Sequence, residues 1–280
     1  MSEKVGIVAN LVKPEALRVA ERIADFLDRR GVGFYLEEGL AHELRRPELA
    51  SQLSDMLGRV GLLVVVGGDG TVLRTCLNLP EDAPPIMAVN VGRRGFLTTV
   101  EPAEVEEALD AFLSGRAVVE ERMRLETTID GHPVPRALNE VCLTCRTPVK
   151  LFRAEVRRDG TLAYSVEGDG LIVATPTGST AYSLSCGGPV VDPGLRCILV
   201  TPICPIRPSW SLVLPPEAEV EVEVLGAREP VLVVDGQAIF DLRPGSHVRV
   251  RASDEPLRFV GLSSKFYEKL LGRGRRPHEG

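Results

Sequence analysis

"VVVGGDGTVLR", residues 64–74, is an apolar run that stops at two glycines, an aspartate, a third glycine and a threonine. Apolar runs of this length read as strands buried on both faces of a parallel sheet. A strand entering Gly67-Gly68-Asp69-Gly70 and then a helix near Thr71 leaves backbone N–H groups unpaired at the positive end of the helix dipole, a place suited to phosphate. A carboxylate there repels phosphate unless it does something else as well, either taking a proton from an attacking hydroxyl or ligating a magnesium ion that neutralises the phosphates. The bland alternative is an ordinary turn with Asp69 as N-cap of a helix from about Thr71 to Leu77. Neither GxxxxGK[ST] nor G-x-G-x-x-G is present.

Working outward, the first third alternates strand and helix patterns. Val5–Ala9, Gly33–Leu36, Leu62–Val66 and Pro85–Val91 read as strands, and Pro14–Leu27 and Leu49–Leu57 as helices. From about residue 116 the texture changes to strands and turns. "DGHP" at 130–133 and "RRDGT" at 157–161 are hairpin signals, and "EVEVEV" at 219–224 and "HVRVRA" at 247–252 alternate. The stretch Lys265–Leu271 returns to a short amphipathic helix whose Phe266, Leu270 and Leu271 need a surface, expected on the first domain. The expected domains are therefore 1–115 plus 258–280, α/β and carrying the GGDGT turn, and 116–257, rich in β.

With 44% apolar residues, 280 residues supply a proper core. The net charge of −6 argues against a nucleic-acid surface. The densest basic group, Arg273, Arg275 and Arg276, reads as a solvated tail. No segment approaches the roughly 18 to 20 apolar residues of a membrane span, and no signal peptide is visible, so the expected compartment is the cytoplasm. Cys76, Cys142, Cys145, Cys186, Cys197 and Cys204 read as reduced core residues. Cys142 and Cys145 form a lone CxxC; "EVCLTC" is read as a strand with alternating faces, and no metal is expected there.

A second glycine-rich stretch, "EGDGLIVATPTGSTAYSLSCGGPV" at 167–190, joins another Gly-Asp-Gly to an apolar strand and a run of hydroxyl residues with one aromatic. Thr175, Thr177, Ser179, Thr180, Ser183 and Ser185 are many hydroxyls for a core. A buried strand delivering them suits a pocket for a ligand of many hydroxyls; a surface loop ending in Gly-Gly-Pro is the alternative.

These residues together resemble the NAD kinases, which phosphorylate the 2′-hydroxyl of the adenosine ribose of NAD. The resemblance rests on Gly67-Gly68-Asp69-Gly70-Thr71, on Asn139-Glu140 in "ALNEV", on "DGLIVATPTGSTAYSLS" from Asp169 to Ser185, and on Asp235-Gly236-Gln237, in the family's order. The GGDG turn is shared with lipid kinases and phosphofructokinases, whereas "TPTGSTAYSLS" is highly specific. The resemblance implies an α/β N-terminal domain with a parallel, Rossmann-like sheet, followed by an all-β sandwich-like domain, with the site between them. It implies Asp69 as acceptor of the 2′-OH proton. Gly67, Gly68, Gly70 and Thr71 would lie at the nucleotide, and Asn139 and Glu140 would bind NAD through ribose hydroxyls. Asp169 would contact the nicotinamide end, Thr180, Ala181, Tyr182, Ser183 and Ser185 would line the adenine pocket, Gln237 would close the site, and Lys150 would be a further contact. The implied cofactor is Mg2+ or another divalent cation arriving with ATP or polyphosphate, and a homodimer or homotetramer is expected.

The chain departs from the family pattern at Glu167, where arginine is common, at "ICPIRPSWSL" in place of "ICPHSLSFRP", and at Cys186, where alanine is usual. The departures put a basic contact at 167 in doubt and leave 206–211 without an inherited role. A lipid kinase using the same turn and a non-catalytic dinucleotide sensor are the competing readings. The first lacks a basic amphipathic stretch for a membrane surface; the second would keep the pocket and lose the chemistry, although Asp69 is present.

Overall fold

The apolar runs of the first third become one parallel sheet in a computed structural model that describes residues 4–92 and 95–274. Val5–Ala9 lies between Phe34–Glu37 and Leu62–Gly67, and Leu62–Gly67 continues to Ile86–Asn90, all parallel. Leu257–Gly261 adds beside Ile86–Asn90, also parallel, although some 170 residues separate them in sequence. Every residue of the three strands Val5–Ala9, Leu62–Gly67 and Ile86–Asn90 is buried, as a sheet covered on both faces requires. Helix Pro14–Arg30 starts on proline, ends on Gly31 in the left-handed region (φ 66°), and buries Ala16, Ala20, Ile23, Ala24 and Leu27 in one core with Val64, Val66 and Val89.

The chain forms two compact units, Met1–Glu121 with Leu257–Gly280, and Arg122–Pro256. In the first, the expected helix Leu49–Leu57 is broken up. Pro47–Leu49 is a single tight turn, Ala50–Ser51 pairs with Leu36 and Glu37 at the sheet edge, and only Leu53–Leu57 is helical. Backbone pairing with the edge strand overrode a helical apolar pattern. Helices Glu38–Glu43 and Val105–Leu113 were not foreseen. The C-terminal helix runs Phe266–Gly274; Phe266 is buried and Leu270 half-buried, but Leu271 is 71% exposed, so the stripe expected to be covered is covered at Phe266, partly at Leu270 and not at Leu271. Arg275 and Arg276 lie outside the described residues.

The second unit holds two six-stranded sheets, antiparallel at every pair. Both hairpin signals turn through an Asp-Gly with positive φ at each residue: Asp130 (50°) and Gly131 (83°), Asp159 (49°) and Gly160 (76°). That is the backbone of a twisted two-residue hairpin. "EVCLTC" does not alternate in burial: Glu140–Cys145 is an inner strand flanked by Gly170–Ala174 and Pro230–Val234, and all but Thr144 is buried. Cys142 and Cys145, three apart on a strand, project to opposite faces and cannot chelate together.

The second Gly-Asp-Gly is a corner where the chain leaves one sheet, at Thr161–Gly168, and enters the other, at Gly170–Ala174. A Cβ on Gly168 would meet the carbonyl oxygens of Ile203 and Cys204 at 2.7 and 2.8 Å, and one on Gly170 would meet Leu143 O at 2.3 Å. Backbone cannot retreat as a flexible side chain can. Gly168→Ala is therefore expected to cost about 3 kcal/mol or more, against about 1 kcal/mol for Gly160→Ala, which meets no atom but has φ 76°. Denaturant midpoints of the two variants check the order; equal losses would show that the corner yields.

Candidate functional site

In the first unit, Gly67 ends its strand, Gly68 caps the helix and Asp69 is the first helical residue of Asp69–Cys76. The helix begins two residues earlier than expected, and Asp69 is not its N-cap. Thr71 N–H and Val72 N–H both return to Gly68 O, at 2.9 and 3.2 Å, so the N–H groups of Asp69 and Gly70 precede the first closed turn. A Cβ on Gly68 or Gly70 would meet nothing within 4 Å, whereas one on Gly67 would stand 2.4 Å from Thr71 Oγ1. Gly67 is glycine for packing, and the next two leave the turn open. Thr71 is buried, and its hydroxyl accepts from Asn10 Nδ2 at 3.3 Å.

Asp69 reaches a segment 26 residues further on. Its Oδ2 accepts from Phe96 N–H at 2.8 Å and its Oδ1 from Leu97 N–H at 3.1 Å. Gly95 lies so close that a Cβ there would fall 2.1 Å from Asp69 Oδ1. One N–H per oxygen fixes the carboxylate plane while leaving lone pairs on both oxygens. Sequence reasoning missed this clamp, because backbone amides leave no mark in the sequence; Gly95 in "GRRGFLTT" was the one available signal.

In the second unit the Asn139-Glu140 corner is held from two sides. Asp235, 3% exposed and itself at φ 50°, accepts from the N–H groups of Leu138, Asn139 and Glu140 at 2.7, 2.8 and 3.0 Å. From the other side, Thr175 Oγ1 donates to Leu138 O at 2.7 Å, Thr175 N–H donates to Asn139 O at 2.8 Å, and Gly178 lies so near that its Cβ would be 2.1 Å from Asn139 O. The backbone is satisfied, but among the described residues Asn139 Oδ1 and Glu140 Oε2 are buried with no partner. Such atoms are costly unless a ligand or water completes them.

Burial, and then the neighbouring Asp235, push the Glu140 carboxyl from its ordinary 4.5 to about 8. Burial raises Asp235 to about 6 against the pull of its three N–H donors. Those donors make Asp235 the ionised member and leave the proton on Glu140.

The hydroxyl-rich stretch is buried more than a ligand-lining role predicts. Ser183 Oγ pairs with Thr201 Oγ1 at 2.9 Å, Ser179 Oγ is bonded to the backbone of Val191, and Thr180 Oγ1 donates to Thr177 O at 3.3 Å. These hydroxyls tie the segment together. Tyr182 is 46% exposed and Ala181 half-buried, while Ser185 and Asp169 are exposed. Burial raises the Tyr182 phenol, followed by Cys186, Cys142, Cys204 and Asp169, so Tyr182 and Asp169 share a neighbourhood; Glu140 joins it through its effect on Cys142 and Cys186. Gln237 Nε2 donates to Asp235 O at 3.5 Å, beside the corner. Lys150 is exposed, and no described bond joins it to Asn139 or Glu140. The divergent segment returns to the other departure: Ile206 N–H donates to Glu167 O at 2.8 Å, and Ser165, Glu167, Arg207 and Ser209 line an open cavity of about 210 Å³.

Two family models match the chain: the ATP-NAD kinase N-terminal domain over residues 5–117 and the ATP-NAD kinase C-terminal domain over 138–262. An NAD kinase of Thermococcus sibiricus is 41% identical over 269 residues, 95% of this chain and 96% of the relative. One of Pyrococcus abyssi is 37% identical over 279 residues, 98% of this chain and all of the relative. Among solved structures, yeast NADH kinase complexed with NADH superposes with a TM-score of 0.87 at 27% identity, covering 99% of this chain and 90% of that one. An NAD kinase from Archaeoglobus fulgidus in complex with ATP gives 0.79 at 32%, covering 96% and 98%.

Glu140 carries a pH signature. With a folded pKa near 8 against 4.5 in the free chain, the folded state binds the extra proton across this window. Its contribution to stability is full below pH 4.5 and is lost as pH rises through 8. Unliganded protein is expected to melt lower as pH rises across that range, and Glu140→Gln, permanently neutral, to flatten the slope. Parallel slopes for the two proteins would show that Glu140 is ionised in the folded state.

Proposed function

Because the chain belongs to the NAD kinase family and phosphorylates NAD to NADP, we propose that Asp69 meets the 2′-hydroxyl of the adenosine ribose and that the adjoining Gly67–Gly70 turn receives the donor's phosphates. The observation that carries this assignment is the clamp on Asp69: each carboxylate oxygen takes one loop amide, which leaves acceptor capacity for a hydroxyl proton. Phosphoryl transfer has a loose transition state with little bonding to the nucleophile, so orientation matters more than base strength. A carboxylate is a weak base toward an alcohol. Its role here is to align the hydroxyl and take the proton late.

The turn offers phosphate the N–H groups of Asp69 and Gly70, with open space where side chains on Gly68 and Gly70 would stand. The chain's donor set at this turn is backbone N–H and one carboxylate already bonded through both oxygens. That suits a divalent cation, Mg2+ foremost, carried in on the donor's phosphates. When bound, it neutralises the charge on those phosphates. We take ATP as the donor, in keeping with the ATP held by the Archaeoglobus fulgidus relative, and polyphosphate as the alternative. The free polar atoms of Asn139 and Glu140 suit the ribose hydroxyls of NAD, and the exposed face of Tyr182 suits an adenine ring.

No helix among the described residues is long and apolar enough to cross a membrane. All six cysteines are free thiols, in keeping with a reducing cytoplasm. The edge strand Leu212–Leu214, with Val213 57% exposed, suits a homodimer or homotetramer.

Asp69→Asn is expected to lower NADP formation by about a hundredfold or more while calorimetric NAD affinity stays within about threefold. The assay runs with NAD or NADH, magnesium, and either ATP or polyphosphate. Matching losses of affinity and turnover would make Asp69 a binding residue instead.

A further inference from the structure

Asp69 is held by the segment Gly95–Leu97, and that segment is held in turn by the start of the C-terminal helix Phe266–Gly274. The Phe96 ring meets the Phe266 ring edge-on, with centroids 6.1 Å apart and planes at 63°, and Phe266 also stands edge-on to Tyr267 at 5.1 Å. One turn further along the helix, the Lys269 ammonium donates to Thr98 O. Just before the helix, Lys265 Nζ pairs with Glu104 Oε2 at 2.6 Å, and the same Glu104 oxygen accepts Glu101 N–H at 3.0 Å. Phe266 is 8% exposed while Tyr267 and Leu271 are 63% and 71% exposed. The buried side of this helix thus faces the segment that carries the two amides of the clamp.

We infer that Phe266 and Lys269 are positioning residues for phosphoryl transfer: they act through Phe96 and Thr98 to keep the Phe96 and Leu97 amides on Asp69. The inference rests on the reading of Asp69 given above. The path is contiguous: helix, ring pair and lysine bond, segment 96–98, two N–H bonds, carboxylate. The other end of the segment is already fixed, since Thr99 Oγ1 donates to Val260 O at 2.6 Å and Val100 N–H to Ala88 O at 3.1 Å. Losing the helix contacts takes restraints away from the Phe96 and Thr98 end of this segment, next to the two amides that hold Asp69. A drift of about 1 Å at a reacting group can cost a hundredfold in rate.

Phe266→Ala is expected to lower kcat by about tenfold to a hundredfold, with the KM for NAD within about twofold of wild type. Hydrogen–deuterium exchange should rise over 95–99. Lys269→Met should do the same more weakly, and Lys269→Arg, which keeps a donor, should restore most of the rate. In the Asp69→Asn background, Phe266→Ala should lower the residual rate no further. A folded Phe266→Ala or Lys269→Met enzyme with wild-type kcat, or a full additional loss in the Asp69→Asn background, would overturn the inference. If Phe266→Ala does not fold, the Lys269 pair decides. Full activity in Asp69→Asn itself would overturn both this inference and the reading beneath it, whereas wild-type rates in the helix variants beside an inactive Asp69→Asn overturn this inference alone.

Discussion

Backbone amides gripping a carboxylate are the interaction on which both halves of this molecule depend. In the α/β unit, Phe96 and Leu97 donate to Asp69; in the β unit, Leu138, Asn139 and Glu140 donate to Asp235. Charge-assisted bonds of this kind are short, directional and stronger than neutral ones. Each joins segments remote in sequence, 69 to 96 and 235 to 138, and each fixes the orientation of the groups it joins. The difference lies in what is left over. Asp69 keeps free acceptor capacity on both oxygens, whereas Asp235 is buried behind the corner it supports, and the open polar atoms belong to its neighbours Asn139 and Glu140.

Glycine serves two opposed purposes in the two Gly-Asp-Gly sequences. At 68–70 it clears space: no atom would meet a side chain on either glycine, and the aspartate between them is turned to the loop amides. At 168–170 it permits backbone to press on backbone, with carbonyls within 2.8 Å of either Cβ position, and the aspartate is left exposed. The same three letters make an open turn at a helix start in one place and a sheet corner in the other. The hydroxyl run after the second corner shows a related economy: Thr175, Ser179 and Ser183 bond to Leu138, Val191 and Thr201, Thr177 Oγ1 is buried without a partner among the described residues, and Tyr182 is the accessible aromatic.

Much of the fold was legible because strands buried on both faces write continuous apolar runs. Val5–Ala9, Leu62–Gly67 and Ile86–Asn90 were read almost to the residue, and the Asp-Gly hairpins follow from the one turn that tolerates two positive φ values. Residues 49–57 misled because their apolar spacing is helical throughout while edge pairing decides the backbone at Ala50–Ser51. The candidate residues were legible only as side chains. Asp69, Asn139, Glu140 and Tyr182 stand in a specific motif set, but the amides that hold Asp69 belong to residues of any type, and the support of Phe96 by Phe266 is a contact across 170 residues. The partnerless atoms of Asn139 and Glu140 have no signature in a sequence at all. A match to both NAD kinase domains along the chain favours the kinase over the lipid-kinase and sensor readings that the turn alone leaves open.

Replacing Gly95 with alanine tests the clamp most directly, since it alters no group assigned to substrate and places a methyl where Asp69 Oδ1 now stands, 2.1 Å from the Cβ position. The carboxylate must then leave its amides. The account predicts that folded Gly95→Ala protein binds NAD as wild type does but forms NADP at about a hundredth of the rate or less. Wild-type turnover in that variant would contradict it, because the aspartate would then work without the geometry that the loop imposes.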